Sequence, residues 1–171
     1  MDIQKKVLWI ALLVLLAFCS CTKQYDRESN FTVVPVDDGK SVEITSYTGS
    51  KKTISIPPTI QELPVTRIGK AAFSGKKITS INIPDSVTVI GEMAFYANQL
   101  TSIIIPNSVT EIDSFAFSSN PLTSVTIPDS VTSVGEKAFI YCNGLTSVTL
   151  SRKTTIGNDA FPDSAIITYS D

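Results

Sequence analysis

LTSVTIPDSVTSVGEKAFIYC, residues 122–142, decides the fold, because its parts recur along the chain at a fixed interval. Its Ala-Phe pair belongs to a column of Phe73, Phe95, Phe117, Phe139 and Phe161, each preceded by alanine and each 22 residues from the next. Such a period marks an elongated stack of like units. Upstream of the phenylalanine, alternating β-branched positions end in proline: Ile78-x-x-Ile81-x-Ile83-Pro84, Leu100-x-x-Ile103-x-Ile105-Pro106 and Leu122-x-x-Val125-x-Ile127-Pro128. Leu145-x-x-Val148-x-Leu150 repeats the pattern with Ser151 in place of proline. Period-two alternation turns Ile81 and Ile83 inward and Ser80 and Asn82 outward. Proline has no amide hydrogen for a ladder, so the strand ends there. A second extended piece, Val87 to Gly91 and its counterparts, leads into Ala-Phe through a short turn or 3₁₀ piece. One unit is thus one coil of a mainly β solenoid.

Outward from these units the organisation is legible. Residues 51–171 hold about five 22-residue units, with a half-unit over 164–169 expected to close the C-terminal end. Five extra residues before Ile68 should bulge out as a loop over Thr59 to Pro64. Phe31 to Val36 and Ser41 to Tyr47 flank the turn signal Asp37-Asp38-Gly39-Lys40, so 31–50 reads as a β-hairpin. A stack of repeats exposes an apolar end unless something covers it, and the hairpin is placed to be that N-terminal cap.

Two lysines within Met1 to Lys6, the apolar run VLWIALLVLLAF over Val7 to Phe18, and Cys-Ser-Cys at 19 to 21 form an export signal over residues 1–20. The run is too short to span a bilayer, which takes roughly 20 residues. The ending resembles a bacterial lipoprotein signal, and Ser20 before it makes Cys21 the expected lipidated residue. The polar stretch that follows makes 21–30 a lipidated cysteine and tether. The chain is then expected to be exported and held at the outer membrane or cell surface by its lipid.

Composition excludes several functions. Formal charge is −2, which offers no footprint for nucleic acid. The chain has no histidine, so imidazole catalysis is absent along with the commonest zinc ligand. No nucleophile elbow, phosphate-cradling glycine run or pair of fixed acids is present, and no enzyme, metal or cofactor is expected.

At LTSVTIPDSVTSVGEKAFIYC and at ITSYTGSKKTISIPPTIQELPVTRIGKAAFSG (44–75) the chain resembles the BspA-type, or Treponema pallidum-type, leucine-rich repeats of bacterial surface proteins. The resemblance implies a right-handed solenoid with a parallel β-sheet on one face. It also implies a non-catalytic binding module or adhesin for a host or microbial protein. The alternative is an envelope assembly lipoprotein that recognises other envelope proteins.

Repeating inward columns hold the body together, so sites are sought among outward positions that vary. The concave strand face carries Ser80, Ser102, Ser124 and Ser147 in one column and Asn82, Ile104, Thr126 and Thr149 in the next. It reads as a solvated surface with hydroxyl ladders ahead of a ligand groove, since binding faces favour aromatic or arginine anchors. On the opposite edge Met93 and Phe115 share a column, flanked by Tyr96 and Ile140. Coils about 4.8 Å apart bring them into an apolar strip. That strip is either a protein-partner site or coil-to-coil stacking, and binding of a protein partner is the hypothesis it supports. Asn98, Asn120 and Cys142 form a further column, expected to bond the turn backbone of a neighbouring coil.

Overall fold

In the solenoid the phenylalanine rings stack on one another: centroids lie 5.3, 5.2, 5.1 and 5.4 Å apart from Phe73 through Phe161. The computed structural model describes residues 24–170. The export signal and Cys21 therefore lie outside the described residues. Each ring is held in the column by its backbone, as Phe95 N–H donates to the Ala116 carbonyl and Phe117 N–H to that of Ala138. Phe73, Phe95, Phe117 and Phe139 are fully buried, and Phe161 almost so.

The column extends one step further than the 22-residue spacing indicates. Tyr47 stacks on Phe73 at 5.6 Å, and its N–H donates to the Ala72 carbonyl as the phenylalanines do to their alanines. The hairpin residue is thus the first rung, and the solenoid has about six turns, not five. Phe31 closes the stack 5.5 Å from Tyr47.

The strands are β1 (Phe31–Val36), β2 (Ser41–Tyr47), β3 (Thr53–Ser55), β4 (Thr59–Ile60), β5 (Leu63–Ile68), β6 (Ser80–Asn82), β7 (Val89–Ile90) and β8 (Glu111–Ile112). They continue with β9 (Ser124–Thr126), β10 (Ser133–Val134), β11 (Ser147–Ser151), β12 (Thr155–Ile156) and β13 (Ile166–Ser170). The longest sheet runs β1-β2-β5-β7-β8-β10-β12. β1 and β2 pair antiparallel as a hairpin, and every later pair on that path is parallel. Ile44, Ile68, Ile90, Ile112, Val134 and Ile156 are in register along it, alternating with residues outside, so one row of β-branched side chains fills the interior beside the rings.

Next to this row the chains approach closely. A Cβ on Gly135 would lie 2.6 Å from the Asp113 carbonyl carbon and 2.5 Å from the Ser114 nitrogen, which is why glycine recurs at this position in most coils. After each proline the turn closes on itself, with Val87 N–H donating to the Pro84 carbonyl and Val109 N–H to that of Pro106.

Three segments differ from their sequence reading. The insertion over Thr59 to Pro64 is not an open loop: β4 and β5 pair antiparallel through Gln61 and Glu62, both at positive φ, in a two-residue turn that buries Ile60. Within the stretch read as a tether over 21–30, Asp26 is buried against the first coil. The C-terminal half-unit pairs β13 with β11 in parallel but leaves Ile166, Ile167 and Tyr169 exposed, so it adds a rung without closing the end.

Candidate partner-binding face

The concave face departs from regularity at one coil. β3 pairs with β6, and β9 with β11, in the expected parallel register. Between them, residues 102–105 form no strand, and among the described residues their backbone groups have no hydrogen-bond partner. Elsewhere in that coil Asp113 N–H reaches the Ile90 carbonyl and Gln99 N–H the Ile78 carbonyl, both at 2.8 Å. The opening is therefore local to the concave strand.

Two clefts flank this segment. One, of about 400 Å³, lies between Ser80–Ile83 and Ser102–Ile104; the other, of about 310 Å³, lies between Ser102–Ile105 and Ser124–Thr126. Ile104 stands on the ridge between them, 84% exposed. At the same outward position Asn82 Nδ2 donates to Ser55 Oγ across the coils at 3.4 Å, a bond isoleucine cannot make. Ile103 is only half-buried, whereas its counterparts Ile81, Val125 and Val148 are buried.

The hydroxyl ladder expected on this face runs elsewhere. Thr88, Thr110 and Thr132 donate to the carbonyls of Thr66, Thr88 and Thr110 beside the long sheet. Among the described residues the hydroxyls of Ser80, Ser102, Ser124, Ser147, Thr126 and Thr149 bond to no protein group, which leaves them available to a ligand.

Met93 and Phe115 do share one column on the opposite edge. They sit at φ 56° and 58°, in a left-handed turn position also taken by Ala71, Lys137 and Asp159, which aims the side chains outward. Met93, Tyr96, Phe115 and Ile140 are each half-buried. Lys137 Nζ lies over the Phe115 ring, 5.8 Å from its centroid, and covers part of the strip. Exposure of large apolar side chains is greater at Ile104 and Tyr141 than along this edge.

Asn98 and Asn120 make the cross-coil bonds read from their column. Asn98 Nδ2 donates to the Phe73 and Phe95 carbonyls while its Oδ1 accepts from Ile78 N–H. Cys142 Sγ takes the same place, 3.4 Å from the Phe117 carbonyl oxygen. Burial pushes the Cys142 thiol above its ordinary pKa, outweighing the backbone bonds from Asn120 and Leu122, so the thiol is a structural group.

The N-terminal end carries its own cluster. Asp26 N–H donates to the Ser55 carbonyl, Ser55 N–H returns a bond to Asp26 Oδ2, both at 2.8 Å, and Lys51 Nζ lies 2.7 Å from Asp26 Oδ1. Burial opposes charge on Asp26, yet the bonds from Lys51 and Ser55 and the lysine charge together hold its pKa below the usual aspartate value.

Residues 66–170 match the family model described as BspA type Leucine rich repeat region (6 copies). A leucine-rich repeat protein of T. pallidum is 28% identical, with a TM-score of 0.77 over 82% of this chain and 68% of that one. One from Bacteroides capillosus is 31% identical, with a TM-score of 0.64 over 71% of this chain and 94% of that one. A leucine rich cell surface protein from Faecalibacterium prausnitzii is 29% identical, with a TM-score of 0.56 over 86% of this chain and 55% of that one. Among curated protein sequences there is no match.

Proposed function

The chain belongs to the BspA-type leucine-rich repeat family, and on that premise we propose that it is an exported, lipid-anchored and non-catalytic module that binds a protein through its concave face. The observation that carries this reading is Ile104, the one exposed isoleucine in a column of serine, asparagine and threonine, set between two clefts. A large apolar side chain at the centre of a face, ringed by groups that can hydrogen-bond, is the arrangement of an interface hot spot. The unpaired backbone of residues 102–105 adds donors and acceptors for a partner to satisfy. No charged side chain occupies either outward column from Ser80 to Thr149, so the partner surface is neutral there.

Export and surface placement are supported by the leader-like first 20 residues and by the cell surface protein among the similar structures. Comparing partner capture by the 22–171 fragment with that by Ile104→Asp and by Met93→Ser/Phe115→Ser tests the site. Loss in Ile104→Asp alone supports the concave face. Loss in the double variant alone moves the site to the opposite edge.

The second reading, recognition of other envelope proteins, is favoured by the short sequence distance from Cys21 to Asp26, which is bonded to the first coil. Protease shaving of intact cells separates the two: a protected protein that captures only periplasmic partners removes the adhesin reading.

A further inference from the structure

The placement of Asp26 bears on where the solenoid stands. We propose that the N-terminal end of the solenoid is its membrane-contacting surface, with phospholipid headgroups lying against Tyr25, Arg27 and Lys51. The inference rests on Cys21 carrying the lipid. Asp26 continues the concave ladder beyond β3, on the side away from β6, which puts it at the very end of the stack. Behind it Glu28 Oε2 accepts from Gln61 N–H and the Asn30 carbonyl from Thr48 N–H, so the chain is fixed to the body from Asp26 onward. Only Thr22, Lys23, Gln24 and Tyr25 separate the anchor from that first fixed residue. Fully extended, these span roughly 17 Å.

The surface within that reach suits a headgroup layer. Tyr25 and Arg27 are exposed, and the Lys51 side chain is 63% exposed even though its amine meets Asp26. With Gln24, Asn30 and Ser50 they line an open cleft of about 590 Å³. Tyrosine and the long basic side chains are the residues that settle at a membrane–water boundary. The C-terminal coil has more exposed apolar surface, in Ile166, Ile167 and Tyr169, but it lies six steps of about 4.8 Å further from the anchor.

The test uses the full-length lipidated protein in phosphatidylcholine vesicles doped with a lipid that carries a nitroxide quencher on its headgroup. A fluorophore is attached at Ser50→Cys or at Asp163→Cys, both exposed positions, while Cys142 stays buried and unlabelled. Quenching at position 50 with loss of quenching at 163 is the expected result. Equal quenching at both means that the solenoid lies flat and overturns the inference while leaving the anchor intact. A protein that fails to float with the vesicles removes the lipid anchor, and this inference falls with it.

Discussion

Asn120 ties its coil to the one before it, its Nδ2 donating to the Phe95 carbonyl at 2.9 Å. The same amide reaches the Phe117 carbonyl at 2.8 Å, and Oδ1 accepts from Leu100 N–H at 3.1 Å. All of these groups are buried, so removing the side chain leaves several without partners. Asn120→Leu should lower stability by about 2–4 kcal/mol. Asn120→Cys, which copies the arrangement at Cys142, should cost less. Urea unfolding of the two variants checks the order, and equal midpoints would contradict a bonding role.

The ring stack makes position along the solenoid matter. Phe117 packs between two rings, at 5.2 and 5.1 Å, whereas among the described residues Phe161 stacks on Phe139 alone. Phe117→Ala should cost about 3–5 kcal/mol, and Phe161→Ala clearly less, because a terminal coil loses one neighbour and not two. Thermal melts of the pair provide the measurement.

The Asp26 clasp should be sensitive to acid. Its pKa is lowered in the folded protein, so its stabilising contribution is complete above the ordinary aspartate value of about 3.9 and is lost as pH falls through the folded value. Proteolysis of the 24–30 segment should therefore accelerate in that acidic window while the coils behind it stay protected. Asp26→Asn, which keeps a side-chain oxygen but no charge, should make cleavage fast and flat across the same window.

Cys142 reports on coil opening. It is fully buried, and burial holds its thiol in the neutral form. A thiol reagent should leave the native protein unlabelled at pH 8 and react fully in denaturant. The native labelling rate should rise in Phe117→Ala, since the Cys142 sulfur rests on the Phe117 carbonyl. An unchanged rate in that variant would mean that the coils do not open together.

Most of the fold was legible because repetition amplifies it. The Phe73–Phe161 column, the Ile68–Ile156 row and the proline stops each recur in phase, and a wrong assignment at one unit would fail at the next. What escaped lies where the phase breaks. Tyr47 stands 26 residues before Phe73, so the spacing hid the first rung. Gln61 and Glu62 carry no glycine or asparagine to announce a tight turn, and the Asp26–Ser55 bonds pair residues 29 apart, beyond any local pattern. At the candidate site, exposure was not readable from the sequence columns. The cover that Lys137 gives Phe115 depends on the neighbouring coil. Ile104 did leave a signal in the sequence, as the sole isoleucine among outward hydroxyl and amide residues.

The unpaired segment at 102–105 also decides how the molecule would carry tension. In parallel coils the hydrogen bonds point along the stack, so a pull between the two ends loads every row of them in line. On both sides of this segment the row of bonds is missing, and the same force falls on fewer bonds. The coils would part there first, leaving two shorter stubs, each with its own paired concave strands. A partner seated over Ile104 would bridge that weakest joint, so occupying the face would also splice the shaft.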